Sequence, residues 1–161
     1  MNLIKSIILV LLMFTVCAGI LYISDLVAKK SLGLGEPVVY DAHPLWGYSP
    51  RESKTYSRFD GDIVTINEVG LRSTNKWIKN GKNILFLGDS VTFGGTYIND
   101  DQTFSFLSCK ELENWNCHNG GVNAYGIINM VARSRYDERI SNAPIRVFAF
   151  ISSDFDRGLQ K

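Results

Sequence analysis

A run of 19 residues without a charge, from Ser6 to Ser24, lies near the start of the chain and consists mainly of aliphatic side chains. As a helix that rises about 1.5 Å per residue, such a run is ~28 Å long, which is enough to cross the hydrocarbon core of a bilayer. Charged residues bound it at both ends, at Lys5 and Asp25. The sequence therefore predicts one transmembrane anchor over residues 1–30, and the rest of the 161 residues suffices for one globular unit.

Two other interpretations of this segment fit less well than an uncleaved anchor. A cleavable signal peptide has a shorter apolar region that ends in a small-x-small site, whereas here apolar residues continue past Ala18 and Gly19. A lipidated Cys17 would need small residues before it, and Thr15-Val16 is a poor match. Because almost no chain precedes the run, the simplest orientation in the cell membrane leaves the N-terminus inside and the globular part on the extracytoplasmic side.

Composition excludes several classes of function. The net charge is +1, and no run of Lys and Arg interleaved with aromatic residues occurs, so nucleic acid is not an expected partner. The three cysteines, Cys17, Cys109 and Cys117, have no zinc-site spacing, and there is no phosphate-binding Gly-x-x-x-x-Gly-Lys loop. We therefore predict neither a metal nor a cofactor. Cys109 and Cys117 could form a disulfide in an oxidising compartment or remain two buried thiols, and both alternatives stay open.

The segment from residue 31 to residue 80 is predicted to connect the anchor to the main domain. Its first parts are a Gly-rich linker, a short strand and a loop, over residues 31–37, 38–40 and 41–48. Residues 54–67 then read as two strands around Asp60-Gly61, a pattern typical of a β-hairpin with a tight turn. We interpret the segment as a small β-rich extension that covers the main domain and carries no chemistry.

The strongest signal in the rest of the chain is a buried strand that breaks at once into a turn. Ile84 to Leu87 is an unbroken apolar run, and Gly88-Asp89-Ser90 follows it. Helices and strands then alternate: a helix over residues 102–113, a strand over 115–118, a helix over 127–140 and a strand over 145–151. This order predicts right-handed parallel crossovers over residues 81–161, and hence an α/β fold, a three-layer α/β/α sandwich around a parallel sheet.

The carboxyl ends of the three predicted strands carry the candidate site. They fall at Ser90, at Gly121 and at Ser152–Asp154. Carboxyl ends of parallel strands meet at one edge of the sheet, where open α/β sheets bind their ligands. This convergence makes Ser90 a candidate nucleophile. Its simpler role would be that of a residue in a strand-to-helix turn.

The same residues resemble the SGNH (GDSL-type) serine hydrolase family over residues 83–156, and in particular its membrane-anchored bacterial members. Gly88-Asp89-Ser90 after an apolar strand is similar to the first block of that family, which carries the nucleophile. Asn119 to Gly126 is similar to the second block, and Phe148 to Asp154 lies where the third block, ending in Gly-x-Asn-Asp, would fall. The resemblance implies a flavodoxin-like fold that hydrolyses ester bonds.

The resemblance also implies roles for particular residues. Ser90 would be the nucleophile, and the N–H groups of Ser90 and Gly121 would form the oxyanion hole. Ser153 stands in the position of the family's asparagine and would be a third, shorter donor. The family's base belongs to an Asp-x-x-His segment near the C-terminus. Neither His43 nor His118 lies in such a segment, and we expect His118 to be a packed or surface residue. We therefore expect a truncated form of the fold, without the catalytic histidine and with an exposed, aggregation-prone sheet edge.

Three functions are consistent with these patterns. The first is a membrane-tethered ester hydrolase that acts on a small-molecule or glycan ester, for example the O-acetyl groups of envelope glycans. The second is an O-acyltransferase on the same scaffold, which differs in the acceptor and not in the chemistry of the serine. The third is a non-catalytic, membrane-anchored binding or scaffold module that has kept the sheet and lost the catalytic triad.

Overall fold

The computed structural model describes residues 3–31, 36–58 and 61–158. Its first element, α1, covers Leu3–Ser31. Within it, Ile4–Lys29 has the length and the composition to cross a membrane, and no residue of its apolar window is buried. A helix that is apolar on every face is typical of a single-pass anchor or a signal sequence. The predicted linker over residues 31–37 lies mostly outside the described residues.

Two antiparallel hairpins follow, and the first was not predicted. It pairs β1, Tyr40–His43, with β2, Gly47–Pro50. The prediction of a strand over residues 38–40 and a loop over 41–48 is therefore wrong. The segment lacks the alternation of apolar residues that marks a half-buried strand. Instead, an aromatic contact stabilises the hairpin: Tyr40 of β1 packs edge to face on Tyr48 of β2, with ring centroids 5.7 Å apart.

The second hairpin pairs β3, Lys54–Ser57, with β4, Ile63–Ile66, and this confirms the prediction for residues 54–67. Gly61 precedes β4 with a φ of +85°, a conformation that glycine adopts without strain. Asp60, the other residue of the predicted turn, lies outside the described residues. A buried cluster joins this hairpin to the main domain and consists of Tyr56, Val64, Ile66 and Phe93.

A parallel three-stranded sheet forms the centre of the globular part, as predicted. Its strands are β5, Asn83–Gly88, β6, Asn116–Gly121, and β7, Ile145–Ala149, in the order β6-β5-β7. Every residue of β5 is buried, in agreement with its apolar run. β6 extends three residues beyond its predicted end at residue 118, because register with β5 keeps an Asn-Gly-Gly segment of low strand propensity extended. β7 lies at one edge of the sheet.

The helices are shorter than predicted. α2 covers Ser90–Phe93, α3 covers Phe104–Cys109 after a 3₁₀ turn, and α4 covers Ile127–Tyr136. The predicted C-terminal ends at residues 113 and 140 are therefore wrong. α4 ends at Tyr136 because the next residue, Asp137, leaves the helical conformation, with a ψ of 93°. The main core lies between the sheet and α4, and its largest members are Leu71, Leu85, Leu87, Val122, Tyr125, Met130 and Ile140.

A disulfide joins Cys109, at the end of α3, to Cys117 in β6. Their Cα atoms are 6.2 Å apart, within the normal range for a disulfide. Of the two alternatives left open by the sequence, the structure therefore has the bonded form. The bond attaches α3 to the sheet across a loop in which Asn114 has a φ of +63°. Together, these elements form a mixed α/β core that follows one N-terminal apolar helix.

Candidate functional site

Ser90 is exposed at the point where β5 turns into α2. The buried Asp89 before it caps α2, because its Oδ1 accepts the N–H of Val91 at 2.9 Å. The carbonyl of Asp89 accepts the N–H of Phe93, and that of Ser90 accepts the N–H of Gly94. The turn therefore holds Ser90 on a well-bonded backbone with its side chain at the surface.

Two glycines let α2 lie directly against the ends of the strands. Gly88 and Gly121 are partners in the parallel register of β5 and β6. A Cβ atom on Gly88 would collide with the side chain of Thr92, and one on Gly121 would lie 2.9 Å from the Cα of Phe93. Neither position has room for a larger residue. These two glycines therefore determine how closely Ser90 approaches the end of β6.

Asn119 in β6 binds both α2 and the predicted oxyanion donor. Its Nδ2 donates to the carbonyl of Thr92 at 2.7 Å. Its Oδ1 accepts the N–H of Gly121 at 2.9 Å. The Gly121 N–H, which the resemblance places in the oxyanion hole, is therefore already hydrogen-bonded. An oxyanion could use it only by displacing the side chain of Asn119.

Arg72 shapes the loop that forms one wall of the site. Its side chain is buried and forms an ion pair with Asp100, with 2.8 Å between Nε and Oδ1. The guanidinium also donates to three carbonyls at the end of α2 and in the loop after it, those of Phe93, Gly95 and Ile98, at 2.9, 2.8 and 2.6 Å. One buried cation therefore satisfies the backbone of a loop that has no regular structure of its own.

Ser90 opens into a pocket of about 310 Å³. The residues that line this Ser90 pocket are Ser90, Val91, Gly95, Thr96, Tyr97 and Asn123. None of the six residues carries a formal charge, so the pocket suits a neutral polar group such as an ester better than an ionised group.

Asn123 is one of five lining residues that the sequence analysis did not single out. It lies in the loop after β6, and its carbonyl accepts the hydroxyl of Tyr48 at 2.6 Å. The hydroxyl of Tyr125 in turn donates to the carbonyl of Tyr48, so the first hairpin braces this loop. Ala124 has a φ of +63°, which is uncommon for a residue with a Cβ atom. The signal that could have identified Asn123 is its place directly after a parallel strand.

Arg157 connects the turns that follow all three parallel strands. Its Nη1 donates to Oδ1 of Asp154 at 2.7 Å and to the carbonyl of Tyr125 at 3.1 Å. The same nitrogen lies 3.5 Å from Oδ2 of Asp89. Both carboxylates are buried, and a buried carboxylate needs a cation or donors near it. Gly126 leaves room for Arg157, since a Cβ atom there would lie 2.7 Å from the Arg157 Cβ.

Ser153 lies outside the Ser90 pocket. Its side chain is exposed, and its Oγ accepts a hydrogen bond from Nη2 of Arg157 at 3.4 Å. The structure therefore brings Ser90 together with Asn123, and not with the side chain of Ser153. Its hydroxyl is still free to donate, but as the third oxyanion donor Ser153 would have to move into the pocket.

The two histidines also lie outside this pocket. His118 is fully buried in β6, and its Nε2 lies 3.2 Å from Oδ1 of Asn83. Burial lowers the pKa of His118 to about 4, so the ring is neutral at pH 7. His43 stacks on Trp46 in the turn of the first hairpin, with ring centroids 3.2 Å apart. Of the two positions predicted for His118, packed or at the surface, the structure has the packed one.

In the part of the chain that the structure describes, no group of three or more His, Cys, Asp or Glu side chains is placed to hold a metal ion. Comparison with protein-family models and with curated proteins finds no match to this chain. The geometry around Ser90 is therefore the basis for assigning a function.

Proposed function

We propose that this protein is a membrane-tethered serine hydrolase of the SGNH type that acts on esters, with Ser90 as its nucleophile. The observation that carries the proposal is an exposed serine at the carboxyl end of the central strand, in a pocket without charged side chains. Open parallel sheets bind their ligands at that edge. In this proposal the sheet and its helices belong to a three-layer, flavodoxin-like sandwich.

In the proposed reaction, Ser90 Oγ adds to the carbonyl carbon of the ester, and the bond to the alcohol breaks. The serine proton passes through a base to the leaving alcohol, and water then releases the acid from the acyl-serine. The charge on the carbonyl oxygen requires hydrogen-bond donors. No hydrogen bond of the Ser90 N–H or of the Asn123 side chain occurs within the described residues, and both residues line this pocket. Gly121 would first have to give up its bond to Asn119, and Ser153, whose Oγ accepts from Arg157, lies outside the pocket.

The proposed reaction needs a base, and the two histidines of the chain do not supply it. His118 is buried in β6, and His43 is stacked in the first hairpin. A serine hydroxyl is a weak nucleophile until a base removes its proton. We therefore assign the base to none of the described residues. Without a base, we expect Ser90 to react only with strongly electrophilic reagents, such as fluorophosphonates and activated esters, and the acyl-serine to hydrolyse slowly.

The disulfide supports an extracytoplasmic position for the globular part. Disulfides persist in oxidising compartments and are rare in the cytosol. Cys109 and Cys117 form one in the domain that follows α1. We therefore propose that α1 crosses the membrane with its N-terminus inside and that the site faces the outer side.

A non-catalytic binding or scaffold module is the second candidate function. The hydrogen-bonded Gly121 N–H and the position of His118 away from the pocket favour it. An O-acyltransferase on the same scaffold would use Ser90 in the same way and pass the acyl group to an alcohol instead of water. Product analysis with a glycan acceptor separates the transferase from the hydrolase.

Labelling with a fluorophosphonate separates the hydrolase from the module. The full chain in detergent micelles is treated with the probe, and Ser90→Ala removes the proposed nucleophile. Ser153→Ala is the matched control, because it removes an exposed serine outside the pocket. We expect the wild type and Ser153→Ala to be labelled and Ser90→Ala to remain unlabelled. Folded wild type that takes up no probe, or Ser90→Ala that is labelled equally, would contradict the hydrolase and favour the module.

A further inference from the structure

We infer that the Ser90 pocket takes its ester from an amphiphile resident in the bilayer and not from free solution. This rests on the function proposed for Ser90 and adds where the substrate resides. Three observations support the inference. They are the length of the tether, which is the segment from Ser31 to Glu36, the contacts of the residues after the tether, and the side chains at the mouth of the pocket.

The globular part begins close to the membrane. An ion pair of 2.7 Å between Lys29 and Asp25 marks the polar end of the anchor, and α1 ends at Ser31. Five peptide steps separate Ser31 from Glu36, and even a fully extended chain covers at most about 18 Å in five steps. Glu36 therefore lies within about 18 Å of the end of α1, whatever the angle between the two parts.

A short series of hydrogen bonds leads from Glu36 to the Ser90 pocket. The N–H of Glu36 donates to the carbonyl of Ser57 at 3.0 Å. Arg58 donates through Nη1 to the carbonyl of Glu36 and through Nε to the carbonyl of Thr96, the latter at 2.8 Å. Thr96 lines the Ser90 pocket. One guanidinium therefore connects the first described residue after the anchor to the wall of the pocket.

A second cavity extends from this wall toward α1. Its volume is about 440 Å³. Its lining includes Ala28 and Lys29 of α1, Val38 and Tyr40 of the extension, and Thr96 and Asn123. The last two residues line both cavities. A headgroup in the larger cavity would thus place an ester bond at the entrance to the smaller one.

The mouth of the Ser90 pocket carries two apolar side chains that are open to solvent. Tyr97 is 77% exposed and Val91 is 62% exposed. Tyrosine is favoured where a bilayer meets water, because its ring is apolar and its hydroxyl is polar. A membrane surface would cover both side chains and remove their apolar area from water.

Photocrosslinking tests the position of the pocket independently of its chemistry. The full chain is reconstituted in phosphatidylcholine vesicles that contain a diazirine-bearing phosphatidylcholine, irradiated and digested. Ile78 is the control, because it is 51% exposed but lies beside the amino end of β5, where its carbonyl accepts the side chain of Asn83. We expect lipid adducts at Tyr97 or Val91, and about tenfold fewer at Ile78. If Ile78 carries as many lipid adducts as Tyr97 or Val91, the inference is overturned.

Two fluorophosphonates then test the source of the substrate. One has a long alkyl chain and resides in the vesicles, and the other is short and water-soluble. A variant with twenty Gly and Ser residues inserted between Gly33 and Leu34 lengthens the tether, and the same twenty residues after Lys161 give the matched control. Because the effective concentration of a tethered site falls roughly as the −3/2 power of tether length, we expect the insertion to slow labelling by the bilayer probe about tenfold. Labelling by the soluble probe should not change.

The outcomes separate the two proposals. If the soluble probe fails to label Ser90 in the folded wild type, the proposed hydrolase function is wrong. If the soluble probe labels Ser90 but the insertion does not slow the bilayer probe, the inference about the membrane substrate is overturned and the hydrolase function stands.

Discussion

Arg157 and Asp154 form an ion pair with 2.7 Å between Nη1 and Oδ1, and Asp154 is fully buried. The same nitrogen donates to the carbonyl of Tyr125 and lies 3.5 Å from the carboxylate of Asp89, the residue before Ser90. The turns after β5, β6 and β7 therefore share one cation. This contact explains how three separate segments stay together at the edge of the sheet where Ser90 is exposed.

Replacing Arg157 by alanine is expected to destabilise the protein. Removing one partner of a buried ion pair costs about 3–5 kcal/mol, and the partial exposure of Arg157 reduces this to about 1–3 kcal/mol. Urea denaturation in detergent micelles measures the change in the free energy of unfolding. The control is Arg135→Ala, which removes an exposed arginine that lies over the ring of Tyr136. We expect that control to change stability by less than about 0.5 kcal/mol. Equal urea midpoints for the two variants would show that Arg157 does not hold the turns together.

Loss of the disulfide is expected to lower the free energy of unfolding by about 2 kcal/mol. The reason is that the closed loop reduces the chain entropy of the unfolded state, and a variant without the bond regains that entropy. The variant is the double substitution Cys109→Ser and Cys117→Ser, and urea denaturation measures the effect. Cys17→Ser is the control, because Cys17 is a free cysteine in α1, and it should leave the midpoint unchanged. Without reductant, the denatured wild type should react with maleimide at one thiol per chain. Three reactive thiols would contradict the bonded form.

The burial of His118 predicts a loss of stability in acid. Its pKa is lowered by burial to about 4 in the folded state. The unfolded chain therefore binds a proton below pH ~6.5 that the folded chain does not take up, and stability falls as the pH drops from ~6.5 toward about 4. The loss over this range is about 3 kcal/mol. Urea midpoints from pH 7 to pH 4 measure it.

The controls for this pH dependence are two single substitutions. His118→Gln should make the midpoint less dependent on pH, even if it lowers stability at pH 7. His43→Gln removes the histidine stacked on Trp46 and should leave the dependence as in the wild type. If the urea midpoint of His118→Gln depends on pH as steeply as that of the wild type, another group causes the acid sensitivity.

Gly121→Ala is expected to displace α2 and with it Ser90. The added Cβ atom would lie 2.9 Å from the Cα of Phe93, so α2 must move away from β6. Overpacking of this kind costs about 1–3 kcal/mol. We expect the rate of fluorophosphonate labelling at Ser90 to fall at least about tenfold, since a misplaced reacting group loses much of its rate. Gly158→Ala is the control, because its added Cβ atom meets nothing within 4 Å. Equal labelling rates for the two variants would show that the close approach of α2 to β6 does not determine the reactivity of Ser90.

The sequence predicted the elements that depend on local pattern. The apolar run at Ile84–Leu87 identified β5, and the alternation of strands and helices implied a parallel sheet. The first hairpin was missed because it depends on packing between aromatic rings, and not on alternating apolar residues. The helices were predicted too long because their ends depend on tertiary contacts, such as the disulfide at the end of α3.

The candidate site was predicted in part. Ser90 lies where a strand-to-turn pattern places it, at the carboxyl edge of the sheet. The partners of Gly121 and Ser153 could not be predicted, because they are side chains whose positions follow from the fold: Asn119 for one and Arg157 for the other. The place of Asn123 at the pocket depends in the same way on a hydroxyl from the first hairpin.

Mass spectrometry of an acyl-serine is the most direct test of the proposed chemistry. The full chain is incubated with p-nitrophenyl acetate, quenched in acid and digested. Because the described residues supply no base for deacylation, the intermediate should accumulate. We expect one acetyl group on Ser90 in the wild type and in Ser153→Ala, and none at this position in Ser90→Ala. Folded wild type without an acetyl group on Ser90 would contradict nucleophilic catalysis by this residue.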